Sequence, residues 1–383
     1  MTPPARGFPP EEFRARTRKA QHLMGEAGLS ALLLTTPPEV CYYTGFLTQF
    51  WESPTRPWFV IVPERGDPVA VIPTIGASLM GRTWITDIRT WTSPNYADDG
   101  IGLLAEALRE LVQEGGRIGV ADGMESHLRM PLAGFSRLKA ALDSRDISSD
   151  AAITRRLRLV KSDAEIEKIR RATGIADRAF ARVGEIARAG VPLGEVSRRF
   201  QGLCLAEGAD WVPYLASAAG AGGYGDVISP ATEAALVPGD VMMLDTGLVW
   251  DGYFCDFDRN YSVGPAAQAV REGHARLVEA SAAAFDAAKP GATIRDLFQA
   301  MRPFIGSSGD TGRLGHGLGL QLTEWPSILA EDETVLEAGM VLTLEPLVEV
   351  SPGKILVHEE NIVIRPTGAE YLSQPQNAEI RVV

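Results

Sequence analysis

Four carboxylates and one histidine in the C-terminal part of the chain have the types and surroundings needed to hold divalent cations. Asp245 and Asp256 lie in LDTGLVWDGYFCDFDRN, His316 in GHGLGL, Glu345 in LTLEP and Glu360 in VHEENIVI. Each sits in or beside an apolar or glycine-rich stretch, where a lone charge is costly. Brought together, four like charges raise one another's pKa unless cations neutralise them. Two divalent ions would balance them, and such a pair activates a water between its members. Oxygen donors with one imidazole suit Mn²⁺, Co²⁺, Fe²⁺ or Zn²⁺, and the residues do not choose among them, although manganese is the favoured expectation.

The elements that must position these residues are strands. Asp245 follows Val241-Met242-Met243-Leu244, and Asp256 lies eleven residues later, past a turn at Asp251-Gly252. Strands joined there would set the two aspartates side by side, which is repulsive without a cation. Glu345 and Glu360 are fifteen residues apart around Ser351-Pro352-Gly353-Lys354, and two antiparallel strands would pair them. Glu is disfavoured inside a strand unless it has a partner. Gly315, Gly317 and Gly319 flank His316, so backbone can approach closely and the imidazole can face a cavity. Each residue also has a plainer reading: Asp245 as a turn residue before Thr246-Gly247, His316 as a structural loop histidine. The concurrence of all five favours metal.

Elsewhere the first 150 residues alternate strands and helices. EEFRARTRKAQHLMGEAGL reads as an amphipathic helix ending at Gly28, SALLLTT as a buried strand, and PPEVCYYTGF as a loop or turn of helix. PWFVIVPE and DPVAVIPT read as a strand pair around Arg65-Gly66-Asp67, followed by a helix GIGLLAEALRELVQEG and a strand RIGVADG. Ser162 and Glu165 fit a capping box at the start of a second unit. There, LGEVSRRFQGLCLAEG reads as a helix and SAAGAGGYGD (217–226) as a glycine-rich loop. The loop has no GxxxxGK[ST], so it is an active-site wall or a plain connection. The expectation is α/β: a small N-terminal domain over 1–155 and a second domain over 156–383.

The chain has 383 residues, a net charge of −12, and 45% hydrophobic content. A chain this long can bury a large core. No run approaches the roughly 18 apolar residues of a membrane span, and the start MTPPARGFPPEEF lacks the apolar core of a signal peptide. The acidic balance argues against nucleic acid or an anionic membrane as partner. Cys41, Cys204 and Cys255 are an odd, scattered set, which points to a reducing, cytoplasmic setting and no disulfide framework.

The pattern resembles the pita-bread metallopeptidases: aminopeptidase P, prolidase and methionine aminopeptidase, with creatinase as a relative without metal. The order Asp, Asp, His, Glu, Glu is carried by LDTG, CDFDRN, GHGLGL, LEP and EEN. GLSALLLTTPPEVCYYTGF is similar to the N-terminal domain of prolidase-like members, and LVKSDAEIEKIRRA to the start of their catalytic domain. The resemblance covers most of the chain. It implies a creatinase-like N-terminal domain and a pita-bread α+β catalytic domain with a curved antiparallel sheet. It also implies two metal ions, one held by Asp245, Asp256 and Glu360, the other by Asp256, His316, Glu345 and Glu360. A hydroxide between them would attack a scissile carbonyl, with Glu345 as proton acceptor. A homodimer is implied as well.

Three accessory positions depart from the family. The first of two substrate-gripping histidines should fall near Ile228, and no histidine occurs between His127 and His274. The second should lie seven residues after His316, where Thr323 stands. The arginine expected two residues before Glu360 is His358. Substitutes to consider are His358, Thr323, Tyr224 and Trp325. Asp258 stands where a threonine is usual, either as an outer carboxylate on the metal or paired with Arg259. Glu345, His358, Thr323 and Asp258 are therefore the candidate catalytic groups. Phe50, Trp51, Arg56 and Trp58 either shape a substrate pocket or pack on their own domain.

The leading reading is a dinuclear-metal hydrolase of small peptides of the Xaa-Pro dipeptidase or aminopeptidase type. The alternative is a metal-dependent C–N hydrolase or lyase on a small non-peptide metabolite, similar to ectoine hydrolase or a dimethylsulfoniopropionate lyase. That reading needs no carbonyl-gripping histidine. A non-enzymatic binding protein is opposed by retention of all five ligands.

Overall fold

The computed structural model describes residues 3–52, 56–305 and 312–383. They form two compact units, Ala5–Arg158 and Leu159–Val383.

The N-terminal unit is built on a six-stranded sheet ordered β4-β3-β2-β1-β5-β6. Its strands are β1 (Ala31–Leu34), β2 (Phe59–Pro63), β3 (Val69–Pro73), β4 (Asp87–Trp91), β5 (Arg117–Val120) and β6 (Asp146–Ser149). The first helix spans Pro10–Ala27 and closes on Gly28 at φ 65°, the left-handed conformation that glycine adopts without penalty. PPEVCYYT is a full helix, Pro37–Thr44, rather than a loop. Its start is fixed by Thr36 and Glu39, whose carboxylate accepts from the Thr36 N–H at 3.1 Å. Leu33, Phe59, Ile61 and Val71 form the core with Leu104, Leu108 and Leu138. The aromatic cluster packs within this unit: Trp51 and Trp58 lie 5.7 Å apart and Phe46 and Trp58 5.2 Å apart, while Arg129 donates to the Arg56 carbonyl at 3.2 Å. Residues 53–55 of FWESPTRPW lie outside the described residues.

The C-terminal unit holds two five-stranded sheets and a hairpin. The first sheet contains β7 (Trp211–Ala221), β8 (Asp240–Trp250), β9 (Tyr253–Phe254), β10 (Phe257–Ser262) and β18 (Arg381–Val382). The second contains β11 (His316–Gly317), β12 (Glu324–Ser327), β13 (Val341–Leu344), β16 (Glu360–Arg365) and β17 (Gly368–Tyr371), and β14 (Leu347–Ser351) pairs with β15 (Lys354–Val357). The Ser162–Glu165 capping box starts the helix Asp163–Ala181.

Strand β8 is buried along its whole length because both faces are covered. Met242, Leu244 and Leu248 face one core with Ile175, Phe180, Val196 and Phe200. Val241 and Met243 face a second core with Leu277, Leu297 and Met301. Asp245 continues the Val241–Met243 face by alternation. The glycine-rich stretch differs from the sequence expectation. Ser217–Ala221 extend β7 and pair with β8 from Leu244 to Asp240, and only the residues after Ala221 turn. Cross-strand pairing outweighs the poor strand propensity of Ala and Gly here. Among the described residues no helix is long and apolar enough to cross a membrane.

Candidate metal centre

The turn Asp251-Gly252 joins β8 to the strands that fold back on it, with both residues at positive φ (50° and 85°). The antiparallel register sets Asp258, not Asp256, directly opposite Asp245. Asp256 lies two residues before Asp258 and so on the same face. The first sheet thus presents three aspartates, and all are buried.

The second sheet supplies the rest. Its register pairs Leu344 with Glu360, which sets Glu345 across from Glu359. Neighbouring residues of a strand face opposite ways, so a slip of one residue exchanges the side chain presented to the cavity. The sequence expectation for Glu360 is corrected on this ground. Glu359 is the residue that joins the cluster: its Oε1 lies 3.8 Å from His316 Nε2. The same imidazole nitrogen lies 3.4 Å from Asp256 Oδ2. Asp256, His316 and Glu359 offer ligand atoms within 4.8 Å of one another.

Glu360 points the other way. Its carboxylate takes Arg259 Nη2 at 3.0 Å, the Gln376 N–H at 3.0 Å and the Ser373 hydroxyl, with His358 Nε2 at 3.2 Å. Burial opposes its ionisation, but Arg259 and His358 win and hold it at about 2. It is a neutralised structural carboxylate, and His358 bridges its surroundings, with Nε2 3.2 Å from Glu360 and Nδ1 3.9 Å from Asp258 Oδ1.

The cluster is electrostatically unbalanced. Burial, then Asp245 and Glu345, push Asp256 well above the usual carboxylate range. Glu359 is pushed up by burial and then by Asp256, Glu345, Asp245 and Asp258. Burial and then Glu345 raise Asp245, and burial raises Glu345. Asp258 is raised by burial and by Asp245. Like charges in one dry site produce this pattern when a counter-cation belongs there.

The donor set fits divalent ions on two further observations. Asp245 Oδ1, Asp256 Oδ1 and Glu359 Oε1 are buried without a hydrogen-bond partner, a costly condition that metal ligation would relieve. His316 Nδ1 lies 2.8 Å from the Gly317 carbonyl, so that nitrogen carries the proton and Nε2 presents a lone pair. Burial first, then Arg313, lower its pKa to about 4, so the ring is neutral. Its approach to Asp256 is therefore not an ion pair but two donors aimed at a common point.

The surrounding groups fix this geometry. Tyr214 on β7 donates to Asp245 Oδ2 at 3.0 Å. Asp258 accepts from the Glu359 N–H and from Asn260 Nδ2 at 3.0 Å, so both its oxygens are already engaged. Arg259 donates to the carbonyls of Asp258 (2.7 Å), on the first sheet, and Glu359 (3.1 Å), just before β16 of the second. Gly315, at φ 133°, has no room for a Cβ, which would meet the Thr343 carbonyl oxygen at 2.2 Å. The Glu345 N–H donates to the Leu314 carbonyl at 2.9 Å, latching the glutamate to the His316 segment.

The accessory positions separate. Ile228 is 80% exposed on a loop. Tyr224 is buried and structural, its hydroxyl donating to Asn260 Oδ1 at 3.0 Å and accepting from the Val357 N–H at 2.7 Å. Thr323 is half-buried and accepts from Arg313 Nη2 at 3.4 Å; Trp325 is half-buried nearby in sequence on β12. Sequence reasoning missed Glu359, Tyr214 and Arg313. The doubled Glu359-Glu360 was the available signal for the first, and position three residues before His316 for the last. Tyr214 carried none.

Residues 167–366 match the model of metallopeptidase family M24, and residues 16–160 match the creatinase/prolidase N-terminal domain. The chain is 29% identical to a probable dipeptidase PepE of Mycobacterium tuberculosis, over 94% of both chains. It is 30% identical to a Xaa-Pro dipeptidase of Pyrococcus horikoshii over 66% of this chain and 73% of that one. The crystal structure of dipeptidase PepE from Mycobacterium ulcerans superposes with a TM-score of 0.84 at 27% identity, covering 98% and 99% of the two chains. A recombinant prolidase from Thermococcus sibiricus shares the fold, with a TM-score of 0.86 at 24% identity over 97% and 99%. The chain belongs to metallopeptidase family M24 and is a metal-dependent hydrolase of the pita-bread fold with a creatinase-like N-terminal domain.

Proposed function

We propose that the protein is a dipeptidase of the Xaa-Pro type. The observation that carries this reading is the buried cluster of Asp245, Asp256, Asp258, Glu359 and His316 with half-buried Glu345 beside it, in which Asp245, Asp256 and Glu359 each keep an oxygen without a hydrogen-bond partner. The relatives, named as dipeptidases and Xaa-Pro dipeptidases, give the substrate class. The non-peptide alternative gains nothing from them.

Asp245, Asp256 and Glu359 would hold one divalent ion, and Asp256, His316, Glu345 and Glu359 the other, with Mn²⁺ as the preferred metal. When bound, such a pair polarises the scissile carbonyl and lowers the pKa of water. The chain's own groups do the rest. Glu345 takes the proton of the attacking water and returns it to the departing amine. His316 is oriented by its Nδ1–H bond to the Gly317 carbonyl, and Tyr214 fixes Asp245. Asp258 acts on Glu359 through its backbone N–H and is a positioning residue. His358 positions Glu360. A homodimer in the cytoplasm completes the proposal. Support for the compartment is the three free cysteines.

The test loads purified protein with Mn²⁺ and assays Xaa-Pro dipeptides. Turnover that disappears on chelation and returns with Mn²⁺ is expected. No turnover in the metal-loaded protein overturns the reading. Asp256→Ala should abolish uptake of both ions, because it removes the residue assigned to both; two ions still bound would refute the site.

A further inference from the structure

Arg313 is a cation near the metal centre that is not among its ligands. It sits three residues before His316, is half-buried, and leans on Thr323 through Nη2 at 3.4 Å. Its neighbour Leu314 accepts from the Glu345 N–H at 2.9 Å, which sets Arg313 beside the cluster. Among the described residues no carboxylate lies within ion-pair distance of it. A guanidinium has five N–H donors in a fixed fork, and one bond to a hydroxyl leaves most of them available. The other arginine beside the ligands, Arg259, is spent: it is 3% exposed and engages Glu360 and the carbonyls of Asp258, Glu359 and Gln374.

The charge balance states what Arg313 is for. Five carboxylates and a neutral imidazole carry one more negative charge than two divalent ions neutralise. In a Xaa-Pro dipeptide the free carboxylate sits on the same residue as the departing nitrogen, so it must enter this negative region. A carboxylate needs a fixed cation there, and a guanidinium recognises it with two parallel bonds.

We propose that Arg313, steadied by Thr323, binds the free C-terminal carboxylate of the dipeptide substrate and so makes the enzyme a dipeptidase. Thr323 is its rest rather than a donor to the scissile carbonyl. The inference rests on the dipeptidase reading above.

The experiment compares Ala-Pro with Ala-prolinamide on the Mn²⁺-loaded full chain, for wild type, Arg313→Ala and Arg313→Lys. Arg313→Ala should raise KM for Ala-Pro by about 10- to 100-fold, the loss expected for a charge-assisted contact. KM for Ala-prolinamide, which has no free carboxylate, should change far less than KM for Ala-Pro, and Arg313→Lys should recover part of the loss. Calorimetric titration with L-proline should show the same loss of affinity without turnover. Metal content and melting temperature should match wild type. An unchanged KM for Ala-Pro overturns the inference, and so does an equal loss on acid and amide, which would assign Arg313 to the fold or the metal. A wild type that cleaves neither substrate overturns the dipeptidase reading and the inference together. A wild type that cleaves Ala-Pro with Arg313 irrelevant overturns the inference alone.

Discussion

At the scale of single residues, adjacent glutamates divide two tasks. Glu359 faces the cluster, and Glu360 closes a buried pair with Arg259. Their removal should therefore fail differently. Glu359→Gln should lower metal uptake and activity with little change in melting temperature. Glu360→Gln should keep the ligands but leave Arg259 underpaired in the interior, destabilising the fold by about 3–5 kcal/mol. Metal content by elemental analysis, alongside chemical denaturation, separates the two; the opposite pattern would restore Glu360 to the metal. The sequence made the chemistry at this scale legible, since the types Asp, Asp, His and Glu announce a cation site. It could not resolve a one-residue choice within Glu359-Glu360, because alternation depends on a register set by residues far along the chain. Nor could it find Tyr214, which reaches Asp245 only through the pairing of β7 with β8.

At the scale of elements, the cluster depends on how closely backbones approach. The His316 strand lies so near β13 that Gly315 tolerates no side chain. Gly315→Ala should push the segment away from Thr343 and carry His316 with it. A displacement of about 1 Å at a reacting group costs about 100-fold in rate, so kcat should fall at least that far while helix content is retained. An Ala variant with wild-type kcat would show that the segment absorbs the methyl without moving the imidazole. The apolar runs of β8 and β13 and the Asp251-Gly252 turn were legible, being local signals. The strand identity of Ser217–Ala221 was not, since Ala and Gly carry no strand preference and only the partner strand decides.

At the scale of the whole molecule, the donors are shared between sheets: Asp245, Asp256 and Asp258 on one, His316, Glu345 and Glu359 on or beside the other. Bound ions would therefore join two substructures, and their free energy of binding would count toward folding. Chelation should lower the melting temperature, and Mn²⁺ at about 100 times its Kd should return about 2.7 kcal/mol. A melting temperature indifferent to both treatments would mean that the sheets are held without metal.

Arg259 gives that division a further meaning. Its guanidinium bonds the Asp258 carbonyl on one sheet and the Glu359 carbonyl at the entry to the other, and the Asp256 N–H meets Asn361 Oδ1 at 3.1 Å across the same seam. The two sheets are stitched by side chains rather than by a continuous ladder. Sequence drift can therefore reshape strands on either side freely, whereas Arg259 and Asn361 are hinges of heredity: each must be kept, or replaced together with its partner, for the two halves to go on meeting at one point.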